Sequence, residues 1–287
     1  MSTIQELYTK AKSLLKNYPA AAVESKVLVL KSLDISEEEF YSDPGRCVSK
    51  SKEQQFYRLV LKRQQGTPLA YVVGEKEFWS LLFKVTPGVL IPRPETELLV
   101  EKVIELSSRR KELIVDIGTG AGNIAVSIAK ELTLARIVAT DISQQALKKA
   151  KINADLQKVP RIEFVRGSLF VPLQKLMLQG KCDFIVSNPP YVSEEEWERL
   201  SEEIRNHEPK RALVAGKSGL ECIKKLVHKA PAFLRPGGYL CLEMGWNQKE
   251  KVLSFFGSDW QNPVCYSDLN DIPRVVIAQP RLVNNPG

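Results

Sequence analysis

Downstream of residue 112 the chain alternates short apolar runs with amphipathic stretches, and this rhythm restricts the fold more than any other feature. The runs lie at 113–117, 136–140, 162–165, 184–187 and 239–244. Between them, stretches such as 143–156 and 219–234 carry apolar residues at helical spacing. Repeated strand–helix–strand alternation predicts a mostly parallel, doubly wound α/β sheet. Residues 275–278 read as a closing antiparallel edge strand.

Upstream the rhythm differs. Ile4, Leu7, Tyr8, Ala11, Leu14 and Leu15 recur at helical spacing, and 20–33 repeats the pattern. Ser36 with Glu39 forms a candidate capping box. A further helix is expected over 51–65, broken by Gly66 and Pro68. Residues 1–75 thus read as a small helical bundle. Phe78, Trp79, Leu81, Phe83 and Val85 suggest a β-hairpin over 76–93, with Pro87-Gly88 as a turn. The α/β domain is expected over 94–283, opening on a helix at 95–106, and the tail 284–287 is expected to be disordered.

A chain of 287 residues that is 44% hydrophobic and 26% charged can bury a sizeable core. No apolar run approaches the ~20 residues of a membrane span, and the first residues lack a signal-peptide pattern; a cytoplasmic location is expected. The five cysteines are scattered and only His207 and His228 are present, so no metal site is expected. The net charge of +7 is compatible with a nucleic-acid or ribosome-associated partner, but no block of consecutive basic residues accompanies it.

Two motifs carry chemistry. Asp116-Ile-Gly-Thr-Gly-Ala-Gly-Asn123 follows the first apolar run, where glycines let the backbone turn sharply and approach a ligand. Asp141 closes the next run, placed to accept hydrogen bonds from ribose hydroxyls. Nicotinamide and flavin proteins share this architecture, but an acid at Asp116 would crowd a pyrophosphate and suits a cationic or zwitterionic ligand. Together with the tetrapeptide at 188–191, this favours S-adenosylmethionine as the ligand of the loop and Asp141. Ser168 and Leu169, after the third run, are expected near the adenine, Leu169 covering the ring.

Asn188-Pro-Pro-Tyr191 follows the fourth run. The prolines fix the chain just past a strand end and lack N–H groups, so nearby carbonyls stay free as acceptors. An amide or aniline-like nitrogen is a poor nucleophile because its lone pair is delocalised. Acceptors at Asn188 and the Pro189 carbonyl would hold both its hydrogens, aim the lone pair at a sulfonium methyl and stabilise the charge that develops. Pro190 and Tyr191 complete the candidate catalytic set, Tyr191 offering a face for stacking.

With these motifs in place, the sequence resembles the HemK/PrmC family, the release-factor glutamine methyltransferases. Ile91-Pro-Arg-Pro-Glu-Thr-Glu97 matches its signature in full, and the segments around 66–78, 208–220, 234–248 and 268–275 match as well. The resemblance implies an N-terminal helical domain over 1–75 that docks the protein substrate, joined by a hairpin to a seven-stranded methyltransferase domain. It implies S-adenosylmethionine as methyl donor, bound by Gly118, Thr119, Gly120, Ala121, Gly122 and Asp141 with Leu169 and Asn188 also in contact. It implies as substrate the glutamine N5 of the Gly-Gly-Gln motif in class 1 bacterial release factors. Asn188 through Tyr191 would hold the glutamine amide, with Arg93 and Glu97 helping to build the pocket. The chain departs from many relatives at Ser168-Leu169, where an acid and an aromatic are common.

Alternative substrates remain at this stage: a ribosomal-protein glutamine, or an adenine amine of nucleic acid, which poses the same lone-pair problem. The acidic helical segment, with Glu24, Glu37, Glu38 and Glu39, is a poor base reader, so no direct nucleic-acid contact is expected. A non-catalytic S-adenosylmethionine-binding module is a further alternative. The enzyme is expected to act as a monomer without a membrane partner.

Overall fold

The computed structural model describes residues 1–159 and 161–281; the expected disordered tail lies outside them, as do the last two residues of the expected α/β domain. The chain divides into two units. The smaller is Met1–Glu75 with Ser201–His207, and the larger is Lys76–Leu200 with the chain from Glu208 onward.

The smaller unit consists of α1 (Ile4–Leu14), α2 (Ala21–Leu33), α3 (Glu37–Ser42), α4 (Lys50–Gln64) and α5 (Leu69–Val73). Capping boxes start α1 at Thr3 and α3 at Ser36, each with a glutamate three residues on closing the reciprocal bond. The apolar stripes foreseen in the sequence meet in one core of Ile4, Leu7, Ala11, Leu28, Phe56 and Val60. Beneath it Arg63 is almost fully buried, bonded to Glu24 at 2.6 Å and to Glu203 at 2.8 Å. Its guanidinium also stacks 3.9 Å from the Tyr18 ring centre. Burial opposes its charge, but the two carboxylates more than offset this and raise its pKa. Glu203 belongs to a short helix from the second half of the chain, so one buried cation ties a distant segment into this unit.

In the larger unit a two-stranded hairpin, β1 (Glu75–Phe78) and β2 (Leu81–Lys84), precedes a 3₁₀ turn at Pro94–Thr96 and α6 (Glu97–Leu106). Then come β3 (Leu113–Ile117), α7 (Asn123–Glu131), β4 (Arg136–Asp141), α8 (Gln144–Leu156), β5 (Ile162–Arg166), α9 (Val171–Lys175) and β6 (Cys182–Ser187). Short helices α10 (Glu194–Arg199), α11 (Glu202–His207, assigned to the smaller unit) and α12 (Lys210–Leu213) follow, then α13 (Glu221–Lys229) and β7 (Leu234–Glu243). Last are α14 (Lys249–Leu253), β8 (Trp260–Ser267) and β9 (Pro273–Pro280).

The seven strands run in the order β5-β4-β3-β6-β7-β9-β8. The first five pair in parallel, and β9 runs antiparallel to both β7 and β8. The central runs are apolar throughout because both faces are covered. On one face Phe78, Phe83, Leu99, Ile128 and Phe184 pack together, and on the other Ile185, Ile223, Leu226, Leu240 and Met244. Each such side chain contributes roughly 1.5–3 kcal/mol by leaving water.

Two strand expectations differ from the structure. The 275–278 run lies inside the sheet, and the edge strand is β8, whose polar and proline-containing sequence gives no apolar run to read. β7 also starts earlier than its apolar run. Leu234 pairs with Cys182 before a register shift, and Gly238 runs so close that a Cβ would lie 2.7 Å from the Cys182 carbonyl oxygen.

Strands β3, β4 and β5 step one way across the sheet, and β6 then returns to the other side of β3. The crevice beyond the carboxyl ends of β3 and β6 is therefore the topological switch point, where open α/β sheets bind ligands.

Candidate active site

A cavity of about 520 Å³ opens at that switch point, within the range of small-molecule sites. Its shape begins with the loop after β3. Gly118, Gly120 and Gly122 all have positive φ (79°, 56° and 83°), a region closed to most side chains. Gly122, at the start of α7, has a second reason: a Cβ there would meet the Ala150 Cβ of α8 at 2.9 Å. The N–H groups of Gly118 and Thr119 donate to the Thr140 carbonyl at 2.8 and 2.9 Å, and Gly120 N–H donates to Asp141 Oδ2 at 3.0 Å. Asp141 Oδ1 accepts from Ser143 N–H at 2.8 Å. The loop and Asp141 thus form one hydrogen-bonded unit on the cavity wall.

Of the expected cofactor contacts, Gly118, Gly120, Asp141, Leu169 and Asn188 line the cavity. Thr119, Ala121 and Gly122 stand behind the wall, Thr119 and Ala121 fully buried. Leu169 adopts φ 47° on the wall, an uncommon conformation for a leucine that nothing in the sequence announces. Asp116 is fully buried behind the loop. Among the described residues no well-formed hydrogen bond reaches its carboxylate oxygens, and burial pushes its pKa up to about 7. Burial also raises Asp141. Being buried, Asp116 does not meet the ligand directly, contrary to the expectation from the sequence. The carboxyl on the cavity wall is Asp141, which disfavours a phosphate there and fits a ligand bearing positive charge, such as S-adenosylmethionine.

Across the cavity, Asn188, Pro189 and Pro190 line the wall after β6. Ser187 Oγ donates to the Ile117 carbonyl at 2.6 Å, clamping the two strand ends together. Asn188 Nδ2 donates to Thr96 Oγ1 at 2.9 Å, which leaves Asn188 Oδ1 as a free acceptor. Tyr191 lies outside the wall. Its ring packs on the core, and its hydroxyl donates to Glu243 Oε1 at 3.3 Å. The Tyr191 carbonyl accepts from Gln248 Nε2 at 2.8 Å, and a Cβ at Gly219 would lie 2.5 Å from that same carbonyl oxygen. The tetrapeptide is therefore gripped from behind by residues 28 to 57 positions downstream.

Family models match both parts of the chain: the PrmC N-terminal domain over residues 6–74 and the methyltransferase small domain over residues 94–219. A release factor glutamine methyltransferase of Coxiella burnetii is 38% identical over 259 residues, covering 90% of this chain and 91% of the relative. One from Nitratidesulfovibrio vulgaris is 36% identical over 288 residues, covering 98% and 97%. The chain belongs to the release factor glutamine methyltransferase family. The solved structure of a ribosomal protein L11 methylase from Lactobacillus delbrueckii has a TM-score of 0.50 at 20% identity, covering 69% of this chain and 84% of that one, a likeness of fold alone.

Within this glutamine methyltransferase the signature 91–97 acts mostly from behind the site. Arg93 and Glu97 are not on the cavity wall: Arg93 pairs with the buried Glu208 at 2.5 Å, and Glu97 accepts from Trp79 N–H at 2.7 Å. The wall is completed instead by Gly88, Val89 and Leu90 and by Arg211 and Lys225. Arg211 donates to Ser143 Oγ at 3.1 Å, next to Asp141. Asn153, buried in α8, bonds to the Ala121 carbonyl at 2.8 Å and to both backbone groups of Lys84, fixing the loop against the hairpin. A polar residue on an apolar helical face was the only available sign of it. Among the described residues, no three His, Cys, Asp or Glu side chains gather as metal ligands, and no helix is long and apolar enough to cross a membrane.

Proposed function

We propose that the protein transfers a methyl group from S-adenosylmethionine to the side-chain amide nitrogen of the glutamine in the Gly-Gly-Gln motif of class 1 peptide-chain release factors. The observation that carries this reading is the Asn188 amide: its nitrogen is committed to Thr96, and its oxygen is left for the cavity. Family membership supplies the release factor as substrate.

Bound at the glycine loop, the cofactor supplies an electrophilic methyl on a sulfonium centre. Gly118, Gly120, Asp141 and Leu169 would hold it, Asp141 as acceptor for the ribose hydroxyls and Leu169 as an apolar cover for the adenine, while Thr119, Ala121 and Gly122 would act by shaping the loop. Asn188 Oδ1 and the Pro189 carbonyl accept the two N–H hydrogens of the glutamine amide. That pairing turns the nitrogen lone pair out of conjugation and aims it along the transfer axis, while the acceptor dipoles stabilise the positive charge that grows on nitrogen. Positioning of this kind supplies as much as ~7–11 kcal/mol in favourable cases. No base is needed before transfer, since the cationic product nitrogen sheds its proton readily. Pro190 holds the wall rigid, and Tyr191 anchors it to the core. Residues 1–75 form the docking domain for the protein substrate, residues 76–93 the hairpin link and residues 94–283 the methyltransferase domain, acting in the cytoplasm.

The test is to incubate the protein with S-adenosylmethionine and an unmodified release factor and to map the Gly-Gly-Gln peptide by mass spectrometry. One added methyl on that glutamine is expected. Its absence, with S-adenosylhomocysteine binding demonstrated by calorimetry, would refute the reading and turn the search to ribosomal proteins.

A further inference from the structure

Behind the tetrapeptide lies a buried polar cluster with no evident structural need. Glu243, at the end of β7, is 1% exposed, and its Oε2 has no close hydrogen-bond partner among the described residues. Burying a carboxyl this way is costly, so its retention between two site residues calls for a reason. The Tyr191 hydroxyl donates to Oε1 at 3.3 Å; Thr96, itself 1% exposed, accepts from Asn188 and lies near enough to lower the Glu243 pKa, without a well-formed hydrogen bond to it.

An asparagine amide can present either its oxygen or its nitrogen to a ligand, and the two ends differ little in shape. Only the oxygen can accept from a glutamine N–H; the nitrogen would oppose donor to donor. A threonine hydroxyl does not decide the matter alone, because it can donate or accept. It decides once its own proton is committed elsewhere. A carboxylate accepts only, so an ionised Glu243 with an unfilled Oε2 beside Thr96 would draw the Thr96 proton and leave the Thr96 oxygen to accept from Asn188 Nδ2. Burial, with the Glu243 charge beside it, raises the Tyr191 phenol, which keeps its proton and likewise donates.

Resting on the function proposed above, we infer that Thr96 and Glu243 are positioning residues that lock the Asn188 amide with its oxygen toward the substrate nitrogen. The lock has a built-in pH response. Burial pushes Glu243 up to about 7; Thr96, Tyr191 and Arg274 of β9 hold it down, and Glu95 opposes them. Below that pH the protonated carboxyl no longer demands the Thr96 proton. Thr96 then becomes free to donate to Asn188 Oδ1, and the amide turns over.

The experiment compares Thr96→Val, Thr96→Ser and Glu243→Gln with the wild type. It measures kcat at saturating S-adenosylmethionine and release factor from pH 6 to 8.5, and S-adenosylhomocysteine affinity by calorimetry. Thr96→Val is expected to lose on the order of 10- to 100-fold in kcat, with cofactor affinity within about twofold of wild type. Thr96→Ser restores most of the rate. Glu243→Gln lowers kcat and removes its rise through pH 7. Wild-type kcat in Thr96→Val would overturn the inference, as would parallel loss of kcat and cofactor affinity, or an unchanged pH limb in Glu243→Gln. A wild-type protein that leaves the release-factor glutamine unmethylated would instead sink the proposed function, and this inference with it.

Discussion

The loop after β3 and the tetrapeptide after β6 end neighbouring parallel strands and face one cavity, yet they are held in place by opposite means. The loop is shaped by its own backbone: three glycines at positive φ, with the N–H groups of Gly118, Thr119 and Gly120 bonded to Thr140 and Asp141 on the adjacent strand. The tetrapeptide is rigid at its prolines but takes its orientation from Thr96, Gly219, Glu243 and Gln248, none of them near it in sequence. A surface that only cradles a ligand is set by local conformation. A group that aims a weak nucleophile, as proposed for Asn188, needs support from several directions.

Substitutions separate the two regions, and the largest effect is expected at Asn188. Asn188→Ala should reduce single-turnover methyl transfer by on the order of 10²–10³-fold, the usual loss for one preorganised polar contact. Its S-adenosylhomocysteine affinity should stay within a few-fold of wild type. A comparable loss of cofactor affinity would erase the distinction between the regions.

Gly219→Ala tests the support of the tetrapeptide without touching the cavity wall. Its new Cβ must push the Tyr191 carbonyl away, and the residue would have to hold φ 76°. A drop in kcat of roughly 10- to 100-fold, with little change in cofactor affinity, is expected from such a displacement. Gly122→Ala is the counterpart in the loop. Contact with Ala150 should cost about 1–3 kcal/mol of stability, read by denaturant titration, and should weaken cofactor binding.

Protonation distinguishes the loop in another way. Asp116 titrates near 7 when folded against an ordinary value of 3.8, so between those values the folded state holds a proton that the unfolded chain releases. Ligand-free stability should therefore fall as pH rises from 5 to 7, by on the order of 1 kcal/mol or more, and level off above. Asp116→Asn should reduce that slope without abolishing it, because Glu243 carries the same sign. Denaturation midpoints at pH 5 and 8 would show it; stability that rises over this window in the wild type would contradict it. The smallest effect is expected for Leu169→Ala, roughly a three- to tenfold loss of S-adenosylhomocysteine affinity from uncovering one ring face.

These contrasts also explain what the sequence made legible. The parallel core strands, the glycine loop, Asp141 and the Asn-Pro-Pro-Tyr turn were all readable, because each is a local pattern whose chemistry follows from adjacent residues. The signature 91–97 was visible, but its placement was not. Arg93 and Glu97 drew attention as its charged members, whereas Thr96 between them makes the contact with Asn188. Asn153, Gly219 and Glu243 act through partners brought close only by folding. The edge strand β8 escaped notice because a strand at a sheet edge needs no continuous apolar run. The link from α11 to Arg63 likewise depends on a pairing across 140 residues that no periodicity encodes.

The most direct test is a crystal structure of the protein with S-adenosylhomocysteine and a peptide containing Gly-Gly-Gln. The predicted result places the glutamine amide nitrogen within hydrogen-bond distance of Asn188 Oδ1 and the Pro189 carbonyl, facing the cofactor sulfur, with Asn188 Nδ2 still on Thr96. A glutamine bound away from the tetrapeptide, or an Asn188 that has given up Thr96 to turn its nitrogen toward the substrate, would contradict it.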